Sequence, residues 1–201
     1  ELDIEVIKVA SCSASDVPLL ERVAMARMPT VASTGGLDTE QIDRMVEIFS
    51  RENLNFALHH CVSIYPTPIS NMQLNQIDNL RARYDPVPIG WSTHEDPDDT
   101  TTVQLAYSKG ASFFERHVGI ETEKYSLNRY SSNSTQVEKW IQGYHRAVES
   151  CGSPERPPAT LAEREALRSL MRGVYAKQPI KQGGKISRSD VFFAMPVVES
   201  N

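Results

Sequence analysis

Cysteine is scarce in this chain: Cys12, Cys61 and Cys151 are the only three in 201 residues, and no two stand in CxxC spacing. An odd, scattered set argues against a disulfide framework and against a zinc knuckle. It suits a reducing compartment, and a cytoplasmic protein is expected. Long apolar runs are missing as well. Stretches such as 56–58 and 197–198 fall far short of the roughly 18–20 residues that a bilayer crossing requires. No signal-peptide pattern opens the chain, and no membrane partner is expected. Positive charge is not in excess either, since 21 Lys and Arg against 26 Asp and Glu leave a formal net charge of -5. That removes the electrostatic reason to expect nucleic acid. The glycine signatures GxGxxG and GxxxxGK[ST] are absent, which weighs against a nucleotide-binding open sheet.

What is present is ordinary globular composition, 40% hydrophobic and 23% charged, enough to bury a core. The chain starts at Glu1 and runs at once into a strand-like segment, so a piece of a longer protein is expected. β-Branched and apolar residues at 3–10 precede a helical run from Pro18 to Met28. The same pattern recurs four times. Strand-like 30–34 precedes a helix from Thr39 to about Glu52, and 55–62 precedes one from about Asn71 to Tyr84. Strand-like 87–92 precedes a helix from about Asp98 to Lys109, and 112–118 precedes one from Ser134 to about Glu149. Five βα units with near-continuous apolar strands predict a parallel α/β sheet covered by helices.

Polar and ionisable residues gather just after each strand: Lys8 and Ser11, Ser33, Ser63 and Tyr65, Ser92 and His94, Glu115 and His117. In a (β/α)8 barrel such strand ends converge on one mouth, whereas in an open doubly wound sheet they meet at a switch point. The barrel is preferred because the nucleotide motifs are missing. His94 and His117 end two successive strands, where two imidazoles could share one divalent ion and leave coordination positions open. Each could equally be a satisfied polar residue beside a loop. Lys8 with the serines would suit a phosphate or carboxylate, although serine after a strand is also ordinary turn chemistry. Glu115 and His117 alternate around Arg116 and so point to one side of an extended strand. His59 and His60 are adjacent, so only one can face the mouth, and both are read as structural. His145 is read as surface or packing, and Cys61 as a small buried apolar residue.

A boundary is expected near Cys151, where CGSPERPPAT forms a Pro-rich linker, followed by a helix over 161–171. The organisation predicted is 1–150, a linker and helix at 151–172, and the start of a small β-rich module at 173–201.

Taken in order, KVAS (8–11), PTVASTGG (29–36), HCVSIYPTP (60–68), GWSTH (90–94), GASFFERH (110–117) and RGVYAKQPIKQGGKISRSDV (172–191) resemble the sialic acid synthase family. The resemblance implies the C-terminal portion of a (β/α)8 barrel followed by an antifreeze-like domain, in a domain-swapped homodimer whose small domain covers the partner's barrel. It implies condensation of phosphoenolpyruvate with an N-acetylmannosamine-like aldehyde to a nonulosonic acid and phosphate. Divalent manganese or magnesium would be held by His94 and His117. Phosphoenolpyruvate contacts would match Lys8, Ser11, Ser33, Ser63 and Ser92, and Tyr65 and Glu115 would lie near the sugar. Three departures stand out. Ser13 replaces the acid expected after the KxxS segment, and Asn128, in Tyr125-Ser-Leu-Asn128, stands where the family has a sugar-contacting acid. Five βα units also leave three of the eight, on the order of 100 residues, to be supplied elsewhere. A non-catalytic sugar-binding or assembly protein is the alternative reading.

Overall fold

The computed structural model describes residues 4–198, so residue 3 of the expected first strand and the last three positions of the expected C-terminal module lie outside the described residues. The chain divides into two compact units, Glu1–Gly152 and Ser153–Asn201.

In the first unit, five strands form one parallel sheet in sequence order: β1 (Ile7–Val9), β2 (Thr30–Ser33), β3 (Phe56–Cys61), β4 (Ile89–Thr93) and β5 (Phe114–Arg116). Parallel neighbours require crossovers, and each is a helix: α1 (Val17–Ala26), α2 (Thr39–Arg51), α3 (Asn75–Arg83) and α4 (Thr101–Ser108). After β5 the chain enters α5 (Ser134–Cys151). Local chemistry starts these helices where they start. Asp16 accepts from the Leu19 backbone N–H, while Asp38 with Gln41 and Asn133 with Gln136 form reciprocal capping boxes.

The inter-strand register sorts side chains by face. Val9, Ala32, Leu58 and Ile89 lie in one row, and two residues on, His60, Trp91 and Phe114 lie in the next. Successive residues of a strand point to opposite sides, so these rows share one face. That face packs on Leu20, Met45, Phe49, Ile77 and Leu80 from the helices, forming the core. The alternate rows are Lys8, Val31 and Ala57, then Ser33, His59 and Gly90, then Cys61, Ser92 and Glu115. None of them belongs to the apolar cluster.

Several expected boundaries shift. Strand β1 is confined to Ile7–Val9, which pair with Thr30–Ala32 of β2, its one neighbour among the described residues. The helix expected from Asn71 begins at Asn75, after a single 3-10 turn at Ile69–Asn71 that follows Pro68. The helix expected from Asp98 begins at Thr101, since the Asp99 carboxylate accepts from the backbone N–H of Thr101 and Thr102.

The second unit contains α6 (Leu161–Leu170), capped by Thr160, and an antiparallel pair, β6 (Gly173–Ala176) and β7 (Val191–Ala194). Tyr175 lies 5.6 Å from Phe192 between ring centroids, and its hydroxyl donates to the Pro196 carbonyl. Among the described residues, no helix is long and apolar enough to cross a membrane.

Candidate active site

The polar face of the sheet gathers its ionisable groups near the C-terminal strand ends. Lys8 reaches from β1 to Glu115 on β5, with Nζ 2.7 Å and 3.0 Å from the two carboxylate oxygens. Ser92 on β4 donates to Glu115 Oε1 at 3.4 Å, a long hydrogen bond. Burial alone would raise the Glu115 carboxyl. The hydrogen bond and charge of Lys8, with His59 and Ser92, outweigh that and hold it below the usual carboxylate range. Glu115 is therefore an anion at neutral pH.

One residue past β4 and one past β5, His94 and His117 bring their rings to 5.1 Å between centroids. Tyr65 lies 4.3 Å from His94. The chain after β3 holds His94 from two sides, since the Val62 carbonyl pairs with His94 Nδ1 at 2.9 Å and the Thr67 N–H donates to the His94 carbonyl at 2.8 Å. Thr67 Oγ1 donates to the Ile64 carbonyl at 2.7 Å, closing the loop on itself. A carbonyl only accepts, so Nδ1 carries the ring proton and Nε2 keeps its lone pair. Burial pushes the His94 and His117 rings below their ordinary value, and for His117 the neighbouring His94 adds to this. Both are neutral bases at pH 7.

These properties fit a shared divalent ion. With metal–nitrogen bonds of about 2 Å, two imidazoles on one ion have centroids roughly 4.5–6 Å apart, and a backbone carbonyl fixing the far nitrogen is the usual support for a histidine ligand. Among the described residues, no group of three or more His, Cys, Asp or Glu could hold a metal. His94 and His117 by themselves would leave further coordination positions open.

Ser11 and Ser63 meet around Gly35. Ser11 Oγ accepts from the Gly35 N–H at 3.0 Å, and a Cβ at Gly35 would lie 2.5 Å from Ser63 Oγ and 2.8 Å from Ser11 Oγ. Only glycine lets these strand ends approach so closely. Ser33 is buried in the row of His59, and its hydroxyl has no hydrogen-bond partner among the described residues. Asn128 is exposed, and its side chain accepts from the Tyr130 N–H in a local turn. Ser13 ends a 3-10 turn after Ser11.

Three features escape inspection of the strand ends alone. Tyr130 packs at the site, with its ring 5.1 Å from both Tyr65 and His117. Nothing in its polar loop marks it. His59 sits on the polar face, 3.5 Å from Glu115 Oε2, with neither ring nitrogen in a well-formed hydrogen bond. Burial depresses its pKa to about 4. Its parity with Cys61 and Ser63 was the available signal. His60 points the other way, pairing Nε2 with the Met72 carbonyl beside Trp91, as a structural histidine does. The third is a buried pair between Glu95 and Arg116, adjacent in sequence to the two site histidines.

Known proteins share both sequence and fold with this chain. It is 44% identical to a protein assigned as spore coat polysaccharide biosynthesis protein E from Chromobacterium violaceum, whose crystal structure matches with a TM-score of 0.88 over 97% of this chain and 58% of that one. The sialic acid synthetase of Leptospira borgpetersenii, crystallised with citrate, is 27% identical with a TM-score of 0.73, over 82% of this chain and 57% of that one. N-Acetylneuraminate-9-phosphate synthase from Drosophila melanogaster is 36% identical over 139 residues, 68% of this chain and 37% of that protein. The chain thus spans well under two thirds of the length of each of these relatives. The NeuB family model matches residues 1–156. With the whole of the five-stranded unit inside that match, the chain belongs to the NeuB family.

Proposed function

We propose that this chain is the C-terminal part of a barrel synthase that joins phosphoenolpyruvate to an amino-sugar aldehyde, giving a nonulosonic acid and phosphate. The observation that carries the reading is the convergence of Lys8, Ser92, Glu115, His94, His117 and Tyr65 on one side of the sheet. Relatives named as N-acetylneuraminate-9-phosphate, pseudaminic acid and N,N'-diacetyllegionaminic acid synthases support the product class.

In the proposed reaction, phosphoenolpyruvate C3 attacks the aldehyde carbon, water adds at C2, and phosphate leaves by C–O cleavage. Manganese or magnesium on His94 and His117 would supply Lewis-acid polarisation of the aldehyde. The chain's own residues do the positioning. Lys8 balances phosphate or carboxylate charge, and the hydroxyls of Ser11, Ser33, Ser63 and Ser92 donate to the same anion. Glu115, held ionised, accepts a proton or a hydrogen bond at its carboxylate from a sugar hydroxyl or the incoming water. Tyr65 supplies a wall for the sugar. No covalent nucleophile is needed.

The second unit is read as the start of an antifreeze-like domain that covers the mouth of a partner's barrel in a homodimer. Its exposed Val174, Phe192, Phe193 and Met195 support a role in covering another surface. A second reading, a sugar-binding protein without catalysis, is favoured by Ser13 and by the turn that occupies Asn128. The separating experiment incubates the full-length protein with phosphoenolpyruvate, Mn2+ and a panel of N-acetylated hexosamines. Phosphate release that needs both metal and sugar is expected; sugar binding with no release would leave only the second reading.

A further inference from the structure

We propose that the buried ion pair between Glu95 and Arg116 is the positioning device that holds His94 and His117 together as a pair. This inference rests on the reading of those histidines as metal ligands. Glu95 directly follows His94 at the end of β4, and Arg116 directly precedes His117 at the end of β5. Arg116 Nη1 lies 2.6 Å from Glu95 Oε1, with the two side chains only 4% and 1% exposed. The rest of the guanidinium is also engaged. Its Nε donates to Ser132 Oγ at 2.6 Å, its Nη2 to the Asp96 carbonyl at 3.2 Å, and its carbon lies 5.5 Å from the Trp140 ring on α5. Ser132 in turn donates its backbone N–H to the His117 carbonyl at 2.9 Å. One side chain therefore joins the two strand ends, the start of the loop after β4, α5 and the backbone that returns to His117.

The alternation of a strand puts Arg116 on the helix side of the sheet while Glu115 and His117 occupy the other. The clamp grips from behind the face that bears the histidines. Stability alone gives little reason for it, because desolvating two charges is expensive and apolar replacement of a buried pair is often neutral or stabilising. What apolar residues cannot reproduce is direction. The planar guanidinium meets three acceptors at fixed angles, and that fixes the relative position of two backbone segments. Partners outside the ligand sphere that orient histidines typically alter metal affinity about 10–100-fold.

The test is Mn2+ binding to the full-length protein, followed by the paramagnetic resonance signal of free Mn2+, alongside thermal unfolding. The probe is the metal alone, so activity is not required. The double variant Glu95→Leu with Arg116→Met should fold with a thermal midpoint near that of the wild type, yet bind Mn2+ about 10–100-fold more weakly. Should the double variant not fold, Glu95→Gln keeps the volume and one hydrogen bond. It should lose at least about fivefold, and Arg116→Lys, whose ammonium cannot serve all three acceptors, should behave alike. A folded variant binding within about threefold of wild type overturns the clamp. If the wild type binds no better than His94→Ala, the metal reading itself fails, and the clamp with it. Normal wild-type binding with unaffected clamp variants removes the clamp alone.

Discussion

The two faces of the five-stranded sheet come from alternate residues of the same strands and obey different rules. On the helix side, Leu58, Ile89 and Trp91 are buried and packed, and the one histidine in those rows, His60, is hydrogen-bonded. On the other side, Ser33 and His59 are as deeply buried yet lack well-formed hydrogen bonds, and Glu115 draws its contacts from three different strands. Unpartnered buried polar atoms also occur on the helix side, at Trp91 Nε1 and Thr93 Oγ1. What sets the other side apart is that its ionisable groups, Lys8, His59 and Glu115, lie against one another across strands.

Substitutions can test how far the faces differ. Trp91→Ala removes the largest fully buried side chain from the packed side. It should cost about 3–5 kcal/mol in urea unfolding of the full-length protein. A loss below about 1 kcal/mol would mean that the helix side is not the packed one.

A smaller effect is expected at His59. Its folded value of about 4 lies below the ordinary 6.5. Between those values the unfolded chain binds a proton that the folded chain does not, so its contribution is complete above pH 6.5 and is lost as pH falls toward 4. The loss amounts to about 3 kcal/mol by pH 4. Wild type should therefore lose about 3 kcal/mol more than His59→Leu between pH 7 and pH 4; equal losses would show that burial does not keep this ring neutral.

The smallest change belongs to Ser33. Its hydroxyl has no hydrogen-bond partner among the described residues, so Ser33→Ala should shift unfolding by less than about 1 kcal/mol, in either direction. A larger destabilisation would mean that the hydroxyl is already satisfied and is not held for a ligand.

Much of this contrast is legible in the sequence because strand periodicity is local. The five strand-like segments, their helices, and the partnership of Glu115 with His117 across Arg116 follow from alternation and capping residues. Boundaries slip where a side chain overrules hydropathy, as Asp99 does by capping the turn before α4. Long-range pairings are another matter. Nothing in sequence spacing says that Lys8 meets Glu115, 107 residues away, or that Arg116 meets Glu95 rather than solvent. Alternation says that His59 and His60 face opposite sides, but not which side each takes; the structure puts His59 near Glu115 and His60 against the Met72 carbonyl. The local turn in which the Asn128 side chain accepts from the Tyr130 N–H is likewise not visible from its place in a motif.

The loop from Val62 to Thr67 has one further consequence, through the two hydrogen bonds by which it straddles His94. A loop fastened to both the ring and the backbone carbonyl of one histidine cannot swing without dragging that residue, so the loop and His94 move together, with Tyr65 against the ring. Tyr65, half exposed, already packs against His94 and Tyr130, so part of its ordering precedes any guest. Immobilising a side chain at an interface costs about 0.5–1.5 kcal/mol when it happens on association, and here much of that entropy is surrendered when the chain folds. Discrimination at this wall then rests on shape fixed in advance rather than on closure around whatever has arrived.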